Sequence, residues 1–150
     1  MQIRHCSADE FLAIRNVGEV IAQYAAESKL EGMPEPHPNY GMYRILEASG
    51  LMTVLVSTNG EGDLEGFAVV LVSMLPHYGE LVASIESFYV VPEARQKGLG
   101  NTLTKAVEVA AKEKGAVALI LTAAIGSPLE QVLKAKKRFR HSHNVFLKAL

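Results

Sequence analysis

The chain has 150 residues, with 15 Lys and Arg against 16 Asp and Glu, and its formal net charge at pH 7 is −1. This length is typical of one domain, and 49% hydrophobic with 21% charged residues excludes an intrinsically disordered chain. The near-neutral charge gives the molecule as a whole no electrostatic attraction to nucleic acid or to an anionic membrane. We therefore expect a single domain over residues 1–150 that mixes helices and strands.

The cysteine content and the apolar runs bear on the compartment. Cys6 is the single cysteine, so it cannot form an internal disulfide, and its N-terminal position makes it a poor candidate nucleophile. The first residues lack the apolar run of a secretory signal, and no uncharged stretch reaches the roughly 20 residues that a membrane-spanning helix needs. These features predict a cytoplasmic protein outside the membrane.

The first third of the chain shows helix-forming patterns on either side of a proline-rich stretch. Ser7 and Glu10 have the spacing of a capping box, in which each side chain accepts a hydrogen bond from the other residue's backbone N–H. Apolar residues then recur every three or four positions, as on one face of a helix. The predicted elements are a strand at Met1–Cys6, one helix through Tyr24, a loop at 33–38 and a helix from Asn39 to Ser49 that ends at Gly50.

From residue 51 the pattern changes to runs rich in β-branched and apolar residues. Asn59-Gly60 is a hairpin signal, and Pro128 behind Ser127 is typical of the first turn of a helix. The predicted elements are strands at Leu51–Ser57, Leu64–Leu75 and Glu80–Val91, a helix at 101–114, a strand at Ala116–Thr122, a helix from Pro128 and a closing strand at Asn144–Leu150. This order predicts an α/β fold, a mixed sheet with helices on its faces.

The segment that points to chemistry is Ile85–Leu103, a strand and a proline followed by a glycine-containing loop that opens into a helix. Gly98 and Gly100 allow backbone N–H groups to turn toward one point, and the helix adds its unpaired amides and positive dipole end. Arg95 and Lys97 add positive charge there. The third glycine of a dinucleotide fingerprint is absent, and the lysine precedes the glycines instead of following them as in a P-loop. The residue types therefore predict a phosphate-binding strand–loop–helix of a different kind.

The loop reads R-x-x-G-x-G over Arg95–Gly100 and follows Tyr89-Val90-Val91-Pro92. This pattern resembles the acyl-CoA-binding motif of the GCN5-related N-acetyltransferase (GNAT) family, and the element order from Leu51 to Thr122 is similar to the family's central sheet and cofactor helix. The resemblance implies a GNAT-like acyl-CoA N-acyltransferase fold, whose central and mostly antiparallel sheet is flanked by helices. It also implies transfer of an acetyl group from acetyl-CoA to a primary amine by direct attack, with no metal.

The resemblance further implies roles for individual residues. The backbone of Phe88, Tyr89 and Val90 would hold the pantetheine arm, and a main-chain N–H in the region of Tyr89 would stabilise the oxyanion. Glu86 is the candidate general base, since an amine arrives mostly as ammonium, with Glu80 as the alternative and a merely solvated carboxylate equally open. The loop would bind the phosphates mainly through main-chain N–H groups of Arg95, Gln96, Lys97, Gly98, Leu99, Gly100 and Asn101.

The chain departs from the family pattern in its last third. The family often carries a late tyrosine that protonates the departing thiolate, but this position falls near Lys134 and no tyrosine follows Tyr89. Tyr40, Tyr43 or solvent remain as the general acid. A terminal strand without a partner would invite pairing with a second copy of the chain, so a homodimer is possible.

Two other classes of function stay open. One is a non-catalytic acyl-CoA-binding sensor or interaction module, which the missing tyrosine favours. The other is an RNA- or protein-binding domain that uses the basic cluster at 134–140, although these residues also fit a solvated face or a contact to the 3′-phosphate of CoA. His141 and His143 have no third ligand nearby in sequence, so no metal site is predicted. His37 lies in the loop where the family shapes its acceptor pocket, and the acceptor itself cannot be read.

Overall fold

The computed structural model describes residues 2–150, so the Met1 end of the predicted first strand lies outside the described residues. The elements, in chain order, are β1 Gln2–Cys6, α1 Ala8–Leu12, α2 Val17–Ser28, α3 Tyr40–Ala48, β2 Met52–Thr58, β3 Leu64–Leu75, β4 Glu80–Val90, α4 Pro92–Arg95, α5 Leu99–Glu113, β5 Ala118–Ile120 and α6 Pro128–Ala135. No helix within residues 2–150 is long and apolar enough to cross a membrane.

The five strands form one sheet in the order β1-β2-β3-β4-β5. Neighbouring strands from β1 to β4 are antiparallel, whereas β5 is parallel to β4. The hairpin predicted at Asn59-Gly60 connects β2 to β3, and the Asn59 side chain accepts hydrogen bonds from the backbone N–H groups of Glu61 and Asp63. The predicted fold class, a mixed and mostly antiparallel sheet flanked by helices, is confirmed.

Each face of the sheet has its own hydrophobic core. On one face α5 packs through Leu103 and Val107, both fully buried, against residues of β2, β3 and β4 such as Leu55 and Val70. On the other face α1, α2 and α3 cover Phe67 and its neighbours. Because residues alternate between the faces of a strand, β2 and β3 contribute to both cores. The two layers of helices therefore cover opposite faces of the sheet, with β4 between them.

The single helix predicted to run through Tyr24 is wrong, because the structure has two helices in this region, α1 and α2. The capping box is present at Ser7 and Glu10, but α1 ends after one turn and α2 begins at Val17. Between the two helices the Asn16 side chain accepts a hydrogen bond from Leu64 N–H and donates to the Leu64 carbonyl. An asparagine that satisfies a distant backbone pair in this way competes with helix continuation. This tertiary contact fixes the break.

The predicted strand at Asn144–Leu150 is wrong, since residues 140–150 have no regular secondary structure. The predicted strand at Ala116–Thr122 is reduced to the three residues of β5. A strand forms where a partner accepts and donates its backbone hydrogen bonds, and within residues 2–150 the sheet ends at β5. The terminal strand on which the expected pairing with a second copy depended is therefore not formed.

Candidate active site

The pairing of β4 with β3 is interrupted at one residue. Ser87 pairs with Val69 and Ile85 pairs with Val70, so Glu86 is an extra residue in β4 that has no pairing partner in β3. This is a β-bulge, a feature that bends a strand and redirects its side chains. The Ser87 hydroxyl donates a hydrogen bond to the Glu86 carboxylate. Adjacent residues of a regular strand point to opposite faces, so this contact shows that the bulge turns Glu86 toward the side of Ser87.

One edge of β4 is left open next to this bulge. On the side away from β3, β5 pairs with β4 only from Val82 to Ser84. From Ile85 to Val90, no described residue forms a strand on that side. Alternate residues of a strand direct their main-chain groups to the same edge, so within Phe88–Val90 those that face away from β3 are placed to bind an extended ligand as an added strand would, although the Val90 carbonyl already accepts a hydrogen bond from Arg95. The predicted site for a pantetheine arm coincides with this open edge.

The chain then passes through α4 and a turn into α5. Gly98 has φ +79°, in the left-handed region that disfavours side chains, and Gly100 has open space where a Cβ would lie. The N–H groups of Lys97 and Gly98 donate to the carbonyl groups of Ala94 and Arg95. No acceptor is found within the described part of the chain for the N–H groups of Leu99 and Gly100. Two free amides at the start of a 15-residue helix suit an anion such as a diphosphate.

The Arg95 side chain is engaged away from the loop. Its Nε donates to the Val90 carbonyl at 2.9 Å, and its Nη2 donates to both carboxylate oxygens of Glu27 in α2 at 2.8 Å. The guanidinium also lies 5.4 Å from the centre of the Tyr89 ring, whose hydroxyl is 3.3 Å from Glu27. Arg95 thus ties the loop to α2, and its expected contact to a phosphate stays a prediction.

The other loop residues are placed as follows. Lys97 lies 3.7 Å from Glu65, and Gln96 is exposed. Leu99 as a whole residue is fully buried against the α5 core, so its expected main-chain contact to a phosphate stays a prediction. Asn101 accepts a hydrogen bond from Lys136. Lys136 thereby reaches the N-terminus of α5, and burial, with Arg138 nearby, lowers its pKa.

The rest of the basic cluster at 134–140 is partly neutralised. Lys134 pairs with Glu130 at 2.7 Å, and Arg138 pairs with Glu108 of α5 at 3.2 Å. Lys136 and Arg138 therefore reach α5, whereas Lys137 and Arg140 are exposed. The position of Lys136 at the start of α5 is compatible with the contact to a CoA phosphate, and the use of the exposed basic residues by an RNA or protein partner stays a prediction.

Glu86 lies against a tyrosine of α3. The Tyr43 hydroxyl donates to Glu86 Oε1 at 2.9 Å, so the carboxylate receives hydrogen bonds from Tyr43 and Ser87. Burial, with the charge of Glu86 as the second cause, raises the pKa of Tyr43, which keeps this hydroxyl protonated. Glu80, the alternative base, opens β4 beside its preceding turn, away from the bulge. The structure thus brings Glu86 and Tyr43 together and leaves Glu80 outside.

A cavity of about 90 Å³ lies between β2–β4 and the three N-terminal helices. Tyr43 and Ser87, which hold the Glu86 carboxylate, are part of its wall. Its other lining residues are Ala8, Phe11, Leu12, Ile21, Tyr24, Pro38, Tyr40, Met52, Val54, Phe67 and Val69. Sequence reasoning missed this cavity and Ser87. Part of the cavity wall is formed by the apolar residues that recur at helical spacing in the first third of the chain. Periodicity alone attributes such residues to packing in the core, so it does not indicate a cavity.

The remaining candidates do not join the site. Cys6 is buried, and burial raises the pKa of its thiol. His143 contacts Ser142, and His37 is exposed in the loop before α3, although the adjacent Pro38 lines the cavity. Among residues 2–150, no group of three or more His, Cys, Asp or Glu side chains is placed to hold a metal ion.

Comparison with known proteins identifies the family to which this sequence is similar. Residues 19–130 match the family described as Acetyltransferase (GNAT) family. A curated relative, the aminoglycoside N(6')-acetyltransferase type 1 of Klebsiella aerogenes, is 39% identical over 66 residues. The matched region is 41% of this chain and 42% of that protein, so the chain matches less than half of the relative's length.

Solved structures resemble the whole chain. The ribosomal-protein-alanine N-acetyltransferase of Brucella melitensis biovar Abortus 2308 has a TM-score of 0.70 at 16% identity, with 100% of both chains covered. An aminoglycoside acetyltransferase from an uncultured soil metagenomic sample, solved with sisomicin, has a TM-score of 0.72 at 16% identity. That alignment covers 99% of this chain and 95% of the other. At these identities the likeness establishes the fold.

Proposed function

The chain belongs to the GNAT acetyltransferase family, and from this premise we propose that it transfers the acetyl group of acetyl-CoA to a primary amine by direct attack. One observation carries the proposal. The bulge places the Glu86 carboxylate beside the open edge of β4, and the same strand leads into the free amides at the start of α5. A candidate base, an open strand edge and a candidate anion site thereby lie in one continuous segment of the chain.

The residues present fit acetyl-CoA. The half-buried Gly100 would donate its free N–H group to the diphosphate, with the N–H of the buried Leu99 directly behind it, and the open space at Gly100 leaves room for the ligand. The main chain of Phe88, Tyr89 and Val90 would hold the pantetheine arm along the open edge and offer an N–H to the thioester carbonyl. When bound, acetyl-CoA supplies the activated acetyl group. The Lys136 side chain, at Asn101, would add positive charge near its phosphates.

Glu86 would act as the general base. A free amine titrates near pH 10, so a proton must leave the ammonium before or during attack, and a fixed carboxylate beside the open edge can accept it. Tyr43 and Ser87 orient this carboxylate by hydrogen bonds. They are therefore positioning residues.

Tyr43 is a poor general acid for the departing thiolate. Its pKa is raised above the ordinary tyrosine value, whereas a thiol titrates near 8.5, so proton transfer from this hydroxyl to the thiolate is uphill. A thiolate of this basicity leaves without an obligatory acid, and water in the open edge can protonate it. The absence of the family's late tyrosine then removes no essential step.

The test measures acetyl-CoA binding by calorimetry and acetyl transfer by thiol release, with a panel of primary amines. Glu86→Gln should lower kcat by about 100-fold, within the usual range for a general base, with the affinity for acetyl-CoA unchanged. Tyr43→Phe should lower kcat by a smaller factor, without a change in KM for acetyl-CoA. Glu80→Gln, on the same strand outside the bulge, is the matched control and should behave as wild type.

Three results would contradict the proposal. Failure to bind acetyl-CoA removes the co-substrate, and equal rates for Glu86→Gln and wild type across pH remove the base. Tight binding of acetyl-CoA without transfer to any amine would instead identify the non-catalytic sensor.

A further inference from the structure

Building on the proposed function, we infer that the amine acceptor is a monoamine whose apolar, ring-containing body lies in the cavity between α1, α2, α3 and the sheet, with its amino group at Glu86. The inference assigns a substrate class to this cavity. Its small volume and uncharged aromatic lining do not suit an aminoglycoside, a large sugar with several positive charges. The inference depends on three features: the aromatic wall, the Glu86 carboxylate that two residues of this wall hold, and the engagement of most acidic groups on the neighbouring helices.

The wall is aromatic and apolar. Five rings line it, those of Phe11, Tyr24, Tyr40, Tyr43 and Phe67. Phe67 is the centre of this group, since its ring lies 5.2 Å from Phe11 and 5.5 Å from Tyr24 between ring centres, the latter edge to face. Apart from the tyrosine hydroxyls, Ser87 supplies the polar side chain of the wall, and none of its lining residues in the described chain is charged. Such a surface binds an aromatic or alkyl group best.

One carboxylate lies at the rim of this cavity. Tyr43 and Ser87 belong to the wall, and both donate hydrogen bonds to Glu86. A ligand that fills the cavity therefore ends within reach of the carboxylate that we propose as the base. One negative charge at one end of an apolar space matches an ammonium group on an apolar body.

Of the acidic side chains on the neighbouring helices, all but Glu19 of α2 have a hydrogen-bond or ion-pair partner within the described residues. Asp9 of α1 pairs with Arg44 at 2.7 Å, and Glu10 closes the capping box. Glu47 of α3 accepts a hydrogen bond from the Ala8 N–H at 3.0 Å, and Glu27 of α2 holds Arg95. An acceptor with several ammonium groups would have to place the additional charges against aromatic walls, where an unpaired charge is strongly disfavoured.

The size of the cavity supports a small body. Apolar cavities on the order of 150 Å³ hold a benzene molecule, so a cavity of about 90 Å³ accommodates a ring in part, or a short alkyl chain. A linker of one or two methylene groups then spans from the ring to the carboxylate. A trisaccharide does not fit in this space.

The experiment compares four amines under identical conditions: 2-phenylethylamine, 2-cyclohexylethylamine, ethanolamine and kanamycin. The expected result is a kcat/KM for the two ring-containing monoamines at least 30-fold above those for ethanolamine and kanamycin. Tyr40→Ala should raise KM for 2-phenylethylamine at least fivefold and leave ethanolamine unchanged. Tyr40 is partly exposed, so the variant should fold, and Met42→Ala, on the same helix outside the cavity wall, is the matched control.

A second measurement separates this inference from the proposed function. Calorimetry of 2-phenylethylamine with wild type and Tyr40→Ala reports occupation of the cavity without any transfer. Binding that the Tyr40 variant weakens supports the inference even if no acetyl group is transferred. Faster acetylation of kanamycin than of 2-phenylethylamine, or binding of 2-phenylethylamine that is absent or unaffected by Tyr40→Ala, overturns the inference. In the first of these cases the proposed acetyl transfer still stands.

Discussion

Replacing Gly100 by alanine separates the role of this glycine in binding from any role in folding. Gly100 is the second residue of α5, and an added Cβ would meet no atom of the protein within 4 Å. Its φ lies outside the left-handed region in which a side chain is strained, in contrast to Gly98. The protein therefore does not need a glycine at this place for steric reasons. We expect the substitution to stabilise the protein and to weaken acetyl-CoA binding.

The magnitudes follow from helix propensity and from the loss of space. Alanine is better than glycine within a helix by roughly 0.5–1 kcal/mol, which raises Tm by about 1–4 °C in a chain of this size. If the diphosphate lies on the Leu99 and Gly100 amides, the new methyl group fills the approach to them. We expect a loss of about tenfold or more in the affinity for acetyl-CoA, equivalent to about 1.4 kcal/mol.

The chain offers a matched control in Gly18. It is the second residue of α2, and an added Cβ there also meets nothing within 4 Å. Gly18→Ala should raise Tm by a similar amount with no effect on acetyl-CoA binding. Calorimetry and thermal unfolding of both variants give the two quantities. Wild-type affinity in Gly100→Ala would refute the placement of the diphosphate at these amides, and a lowered Tm would refute the claim of open space.

Two further predictions concern charged pairs. Glu27→Gln breaks the ion pair with Arg95 and should cost about 0.5 kcal/mol in urea unfolding, as expected for a partly exposed pair, whereas Arg95→Gln also loses the hydrogen bond to the Val90 carbonyl and should cost more. A loss of acetyl-CoA affinity in Arg95→Gln alone would show a direct phosphate contact. The Arg15 guanidinium lowers the pKa of Asp63, so this pair stabilises the fold above the ordinary Asp pKa of about 3.9, and the effect disappears as pH falls through the lower folded value. Asp63→Asn should therefore be less stable than wild type at pH 7 and equal to it near pH 2, and a pH-independent difference would contradict the assignment.

The sequence predicted the strand, loop and helix of the candidate cofactor site because the signals for these elements are local. The glycines at 98 and 100, the proline at 92 and the apolar stripe of α5 all lie within one segment, and each acts on its own backbone. The same holds for the capping residues Ser7 and Ser127, whose hydroxyls both accept the expected backbone hydrogen bond.

The features that the sequence did not reveal depend on distant partners. The break between α1 and α2 requires Asn16 to meet Leu64, and the bulge at Glu86 requires the register of β3. The aromatic cavity exists because helix residues and strand residues far apart in the chain converge on one space. The terminal strand failed for a related reason, because apolar residues there have no neighbouring strand to pair with.

The extra residue in β4 also sets limits on redesign. Before it, Ala83 and Ile85 lie in the core under α5, and after it Phe88 and Val90 do, so the odd-numbered positions give way to even-numbered ones. A glutamate moved to Ala83 or Phe88 would therefore be placed in the α5 core instead of beside Tyr43 and Ser87. Deleting Glu86 would restore an unbroken ladder and remove the acid group in the same step. A design for a new acceptor should therefore keep the β-bulge at Glu86 and change residues of α1, α2 and α3 that line the cavity.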